Sequence, residues 1–449
     1  MTAANLVTAA ANDLAKRIDS AQVHVPNGGA PLLWNAAVDH RPALIVRARS
    51  PRDVQEAIRV ARDRGMRLSV LGGGHDWAGR ALRDGGLVID LSGMRRVTVD
   101  ARARVAAVGG GATAADVMAA AAPYGLVAAA GNVGAVGMTG LTLGGGYGPL
   151  NGRFGLALDN LFGAEVVLAD GRIVTTDATH EPELFWALRG GGGNFGVVTS
   201  MRVRLHPLEW LIGGLIVFPW SQAAAVWRGL GEVLSTAPDE LTVQSGLLSG
   251  PDGRPAAYLA PAWSGDLRSG EAAVDELAKL GTPLTMQVAP MTYGEMLGLF
   301  DAFTVGGLHW ALRTRTVAGY TPEVVDALIE AGRTRTSPRS GIPIHNFHGA
   351  STRVAFGETA FANRRQHFVV EIVAGWEPGN GAAHRAWADA VSAALAPHAL
   401  PGGYPSLLGP DDHAQIANAY GNNCMRLGAA KRHFDPDDVF TATPLPVTG

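Results

Sequence analysis

Three groups of residues stand where chemistry would place them. His75 directly follows Gly72, Gly73 and Gly74 at the end of the apolar run RLSVL (67–71). Its plain reading is a turn histidine. Glycine is dense around it and beyond: the chain has 59 glycines, and their densest runs fall before residue 200, as GGGH (72–75), GGG (109–111), GNVGAVGMTG (131–140), GGGYG (144–148) and GGGGNFG (190–196). Flexible linkers carry serine or proline outside periodic segments. These runs sit at strand ends between apolar stretches, which suits backbone that comes close to a ligand. The third group is Glu371, the only charge in HFVVEIVAGW (367–376). A carboxylate there is either a proton acceptor or a strand-edge group facing solvent, since glutamate is rarely buried without a partner. His345 and His348 are three apart and would share one side of a helical turn, but IPIHNFHGAS reads as a strand. There i and i+3 point to opposite faces, so no metal site is expected.

Several chemistries are excluded. Val108 is followed by GGGATA, which formally fits G-x-G-x-x-A. The acidic residue required about 20 positions later is missing, because that stretch reads AAAGNVGAVG. No G-x-x-x-x-G-K-[ST] occurs, which rules out a P-loop, and no G-x-S-x-G occurs, which disfavours an α/β-hydrolase. Cys424 is the single cysteine, so no intrachain disulfide and no cysteine-based zinc or iron–sulfur site can form. A net charge of −3, with 47% hydrophobic and 17% charged residues, describes a soluble globular protein rather than a disordered chain or a nucleic-acid binder. Lys16, Lys279 and Lys431 are the only lysines, so most positive charge is arginine. The N-terminus lacks a basic start, Asn12 and Asp13 interrupt its apolar residues, and no run nears the ~18 needed for a membrane span. A cytoplasmic enzyme is expected.

The elements that must position these residues follow from periodicity. At 449 residues the chain exceeds the ~250–300 at which single cores stop growing, which implies two domains. In the first half, strands are expected at 43–48, 67–71 and 86–92, and a helix follows Ser50-Pro51 with Val54, Ala57, Ile58 and Ala61 on one face. A hairpin is expected around Asp100, a helix over 114–122, and a second hairpin at Asp170-Gly171. GVVTSMRVRLHP then forms a long strand ending at Pro207. Phe185 and Trp186 read as helix core. From about 209 to 400 helices lengthen between strands, which suggests a second α+β domain. The last part is helical up to Asp435-Pro436.

Four segments occur in order within about 130 residues: LGGGHDWAG, GNVGAVGMTGLTLGGGYG, LDNLFGAEVVLADGRIVTT and LFWALRGGGGNFGVVT. With the tail YGNNCMRLGAAKRHFDPDDVF, they resemble the vanillyl-alcohol-oxidase-type flavoproteins, in their berberine-bridge-enzyme-like branch, over nearly the whole chain. The resemblance implies an α+β fold. A two-part FAD-binding domain of PCMH type (1–208, core about 39–208) precedes an inserted α+β substrate domain (209–400), an antiparallel sheet covered by helices. A C-terminal segment (401–449) returns to the FAD-binding domain.

By the same resemblance, Gly72, Gly73 and Gly74 bring backbone N–H groups to the FAD pyrophosphate, and His75 forms the one covalent bond, to the flavin C8 methyl. Gly134, Gly137, Thr139, Gly140, Gly144 and Tyr147 line the flavin and pyrophosphate, Val198 holds the adenine through its backbone, and Tyr420 and Asn422 are the tail's flavin contacts. Asp159-Asn160 matches a structural pair. Two positions depart from the pattern. Asp76 stands where serine or asparagine is usual, unfavourable beside a pyrophosphate unless it points away or meets an arginine. Val133 stands where many relatives carry a cysteine, which removes a second covalent bond. Val136 matches the position that gates dioxygen, where valine resembles the oxidases.

Glu371, with Phe361, Arg364 and Trp376, matches a strand whose Glu or Gln faces the flavin. Burial beside a neutral ring is expected to raise its carboxyl above ~4.3. Tyr404, in GGYPSLL, matches the first tyrosine of a Tyr-x-Asn-Tyr segment whose remaining positions are Ser406 and Leu407 here, and it is expected to orient the substrate. The implied activity is hydride transfer from a carbon bearing OH or NH on a small molecule to covalently held flavin, with dioxygen as acceptor and peroxide as product. Oxidative cyclisation or rearrangement, a dehydrogenase with another acceptor, and a silent binding protein are the alternatives. An intact His75 weighs against the last.

Overall fold

In the computed structural model, which describes residues 2–26 and 33–446, Ser50 closes a capping box with Asp53 at the start of the helix Pro51–Asp63, with Pro51 in its first turn. Val54, Ala57, Ile58 and Ala61 are fully buried, as their spacing requires. They pack on a four-stranded sheet in the order Val23–His24, Leu44–Arg47, Leu87–Asp90, Leu68–Leu71, whose last three strands are parallel. The strand Leu68–Leu71 therefore ends directly at the glycines that precede His75.

A second sheet is antiparallel, in the order Val97–Asp100, Val105–Gly109, Val197–Pro207, Leu161–Val167, Ile173–Thr176, with Leu126–Ala128 paired to the far end of Val197–Pro207. Both expected hairpins are present. Gly171, at φ +84°, makes the tight turn of the second. Phe185 and Trp186 lie buried in the helix Pro182–Leu188.

Residues 211–376 supply a third, seven-stranded antiparallel sheet. Its order is Thr285–Met291, Leu211–Pro219, Pro255–Trp263, Leu241–Ser249, Ile342–Phe347, His367–Trp376, His309–Val317. The helices Ala223–Ser235, Leu267–Ala278, Pro322–Arg333 and Ala382–Leu395 cover one face, where Trp227, Leu277, Leu328 and Trp387 pack on Phe368, Val370, Ile372 and Ala374. Strand residues alternate between faces, so Val369, Glu371 and Val373 are left for the other face. The fold is α+β, with a helix-covered antiparallel sheet beside the two sheets of the first part.

Two features tie the parts together. Arg364 forms a bidentate pair with Asp159 at 2.7 and 2.9 Å, their side chains only 5% and 11% exposed. Asn160 donates to the carbonyls of Phe154 and Leu156, so the Asp-Asn pair holds its own turn as well. The tail comes back to the first part: Leu427 and Phe434 of the helix Cys424–Phe434 enter the core of the second sheet, and Phe440 that of the first. Among the described residues no helix is long and apolar enough to cross a membrane.

Candidate active site

A cavity of about 840 Å³ lies between the glycine loops of the first part and the free face of the seven-stranded sheet. Gly72, Gly73, Gly74, His75, Asp76, Val133, Val136, Gly137, Thr139, Gly140, Tyr147, Val198, Glu371 and Tyr404 all line it, although they come from segments more than 300 residues apart. Gly134, Gly144, Tyr420 and Asn422 are not part of this lining. A Cβ on Gly134 would meet Ala115 at 3.2 Å and Leu297 at 3.7 Å, so that glycine serves packing. Gly144 faces Ser406. Tyr420 is fully buried elsewhere, its hydroxyl donating to the Pro444 carbonyl at 3.4 Å. Asn422 is exposed, while Asn423 turns inward and donates to the carbonyls of Thr359 and Ala360. In the tight turn Gly421–Asn423 each residue advances about 120°, so neighbours face different ways. The tail reaches the cavity instead through Thr441, Ala442 and Thr443, which have no distinctive sequence signal.

The glycines do two jobs. A Cβ on Gly73 would lie 2.2 Å from the Gly137 nitrogen, and one on Gly137 would lie 2.5 Å from the Gly73 nitrogen. These two loops therefore pack backbone against backbone. Gly140, by contrast, opens onto free space. Asp76 meets Arg80: the guanidinium donates to its Oδ1 at 2.7 Å and the Arg80 N–H to its Oδ2 at 2.6 Å. Arg80 also reaches the carbonyls of Ser406 and Leu408. The acidic departure from the motif is thus neutralised locally and fastens the tail to the loop.

His75 is partly buried, and its ring stacks at 6.0 Å on Trp34, which in turn stacks on Trp310 at 4.9 Å. Burial holds the imidazole below its ordinary value, so the ring is neutral and keeps a nucleophilic lone pair.

Glu371 sits in a strand flanked on both sides, not at an edge, and its side chain is 15% exposed into the cavity. Its Oε1 accepts from the Tyr147 hydroxyl and lies 3.0 Å from His345 Nε2. Burial pushes the carboxyl up, but the neighbouring His345 and the bonds from His345 and Tyr147 outweigh it, so the pKa lies below the ordinary value. The upward shift expected from burial alone is therefore reversed. The signal that could have shown this is strand pairing: His345 is opposite Val369, two residues from Glu371. His348 goes elsewhere, its Nε2 3.0 Å from Thr242 Oγ1, so the two histidines diverge. Tyr404 accepts the Gly146 N–H at 2.6 Å and crosses the Tyr147 ring at 4.9 Å, nearly edge-on. Burial raises both phenols, which makes them proton donors at neutral pH, not bases.

The lining fits FAD. Ser69 Oγ and Thr139 Oγ1, both in the cavity wall, are buried without a partner, as groups awaiting a polar ligand would be. Gly140 leaves open space where a side chain would obstruct, a Cβ on Gly72 would meet only the Gly110 carbonyl at 3.9 Å, and the neutral His75 lies in the same wall.

Comparison with known proteins agrees. Residues 42–177 match the model of an FAD binding domain. The chain is 31% identical over 418 residues to the FAD-linked oxidoreductase aurO of Gibberella zeae, covering 91% of this chain and 81% of that protein. It is 36% identical over 272 residues to (R)-6-hydroxynicotine oxidase of Paenarthrobacter nicotinovorans, a match spanning 60% of this chain and 59% of the relative. The BBE-like 1 structure of Physcomitrella patens superposes with a TM-score of 0.88 at 22% identity, covering 98% and 99% of the two chains.

Proposed function

Because the chain belongs to the vanillyl-alcohol-oxidase-type FAD-linked oxidoreductases, in their berberine-bridge-enzyme-like branch, we propose that it oxidises a small molecule at a carbon bearing a hydroxyl or amino group. FAD held by the glycine loops and His75 would supply a two-electron acceptor for the hydride from that carbon, with dioxygen as the final acceptor and peroxide as product. The observation that carries this reading is the placement of Glu371. Loss of hydride leaves a cation unless a proton leaves as well, and a positioned base typically contributes ~10²–10⁴-fold to such a step. Both protein contacts to Glu371 fall on Oε1, which leaves Oε2 to take the substrate's O–H or N–H proton. Tyr147 and His345 hold the carboxylate in place, and Tyr404, pinned to the Gly146 amide, orients the substrate.

His75 supplies one covalent tether through its neutral ring. Val133, which also lines the cavity, offers no thiol for a second. Val136 lies in the same wall, and its short side chain supports dioxygen as the acceptor. The name of the nicotinovorans relative, an oxidase, supports the same acceptor.

The test has three readouts. Acid-precipitated protein should remain yellow, whereas His75→Ala should release its FAD into the supernatant; release from the wild type would remove the tether. A substrate panel should bleach the flavin and yield peroxide. Val136→Leu should slow reoxidation in air. Wild-type reduced enzyme that reoxidises slowly in air yet quickly with a quinone would make the protein a dehydrogenase.

A further inference from the structure

The sheet side of the cavity is apolar except at a few places, and those places are spaced. Leu248, Tyr258, Phe300, Leu312 and Val373 line it, with Tyr258 and Phe300 in edge contact at 5.9 Å. The serines at this end are already engaged: Ser249 donates to the Pro338 carbonyl at 2.5 Å, and Ser340 accepts the Gly375 N–H at 3.2 Å. Arg339 is turned to the rim, 3.6 Å from Glu377. One acceptor is left over. Gln244 donates through Nε2 to the Tyr258 hydroxyl at 2.9 Å, while its Oε1 is buried with no partner. A buried acceptor left unpaired costs stability, which a ligand donor would recover.

Gln244 and Glu371 lie on the same face, separated by the strand Ile342–Phe347. Ser245 pairs with Ile344 and His345 with Val369, so the two positions are two strand spacings apart and offset by two residues. At 4.7–4.9 Å per strand their backbones are roughly 10–12 Å apart. Between them stands His345, opposite Gln244 in register and already engaged with Glu371; beyond it the wall is apolar.

We propose that the substrate is a largely apolar, ring-bearing molecule with two hydrogen-bond donors at its opposite ends, the reacting one against Glu371 and the other against Gln244 Oε1. This rests on the oxidoreductase reading and narrows its substrate class. A saccharide, with a hydroxyl on almost every carbon, would bury several of them against Leu248, Phe300 and Leu312 without partners, each at a cost. A site built around one buried acceptor rejects an analogue that lacks the matching donor far more strongly than an apolar pocket rejects a change of size. Gln244 is therefore the specificity-determining residue of the sheet side.

Anaerobic titration of the purified flavin-loaded protein tests this, read by calorimetry and by the shift in flavin absorbance. 2,6-Dihydroxynaphthalene is expected to bind at least ~10-fold more tightly than 2-naphthol and than cellobiose, on the scale of one buried hydrogen bond. Gln244→Leu is expected to erase the gap between the diol and 2-naphthol while leaving 2-naphthol affinity within about twofold, since shape and apolar area are kept. Cellobiose binding as tightly as the diol, or a gap that survives in Gln244→Leu, would overturn the assignment. The ranking of the three ligands on the wild type decides the apolar-wall argument even if the variant folds poorly. A preparation with no bound flavin counts against the oxidoreductase reading instead, so the two failures are distinct.

Discussion

Across the cavity from Glu371, the wall made by residues 72–76 and 133–140 is largely backbone, whereas the wall made by the seven-stranded sheet is largely side chain. The backbone wall is locked: Gly73 and Gly137 press on each other's main chain, and neither can take a methyl group without moving a loop. The sheet wall is set by register, and its side chains project from a scaffold whose other face is already buried under helices. Residues there can change without disturbing the core beneath. A cofactor site of the first kind is tied to the fold itself, while a substrate site of the second kind can be retuned one side chain at a time. Substrate preference and cofactor binding should therefore respond differently to substitution.

The sharpest separation comes from Glu371→Gln. It should slow flavin reduction by a substrate at least ~100-fold, the size of a lost general base, with flavin content unchanged. Stopped-flow reduction measures the first and absorbance the second; an unchanged rate would remove Glu371 from the mechanism. On the opposite wall, Gly73→Ala should destabilise the protein by about 1–3 kcal/mol through overpacking against immovable backbone, and flavin content should fall with it. Thermal unfolding that matches the wild type would show that the loops part more easily than their contact implies.

His345→Asn probes the sheet wall through pH. With Glu371 as the proposed base, it acts as a carboxylate, so turnover is expected to fail as pH falls through its pKa. His345 holds that pKa below the ordinary glutamate value, which places the acid limb of the profile low. With His345 replaced, burial is left to dominate and the limb should move to higher pH, with flavin still bound. A limb that stays put would mean His345 does not govern the carboxylate. The smallest effect is expected from Gly140→Ala. Its Cβ meets nothing within 4 Å, so stability should stay within ~0.5 kcal/mol of wild type, while the added methyl intrudes only on the cavity. Loss of flavin without loss of stability in this variant, set beside Gly73→Ala, would separate ligand-facing glycines from packing ones.

Much of this was legible locally. The strand His367–Trp376 coincides with its apolar run, and the helix after Ser50 starts at its cap and buries the expected face, because both signals are carried by residues close in sequence. The glycine runs were legible as close approaches but not as to what approaches: at Gly73 and Gly137 it is one loop against another. The tail shows the finer limit. A one-residue phase in the turn Gly421–Asn423 buries Asn423 and exposes Asn422, and composition carries no such phase.

The residue types alone determined the main strands and helices of the first half and the absence of a thiol at Val133, because these depend on presence, order and short-range periodicity; the α+β class and the role of His75 came with the resemblance of the ordered motifs to a flavoprotein family. Only the tertiary structure decided which way Glu371 faces and what charge state it keeps. Alternation says that Glu371 and Val370 lie on opposite faces, but which face becomes the cavity depends on where four helices pack. Its pKa depends on His345, 26 positions upstream, which pairing brings to 3.0 Å from the carboxylate. Electrostatic coupling falls with distance in space rather than along the chain, and so the acid–base character of the site belongs to the folded arrangement.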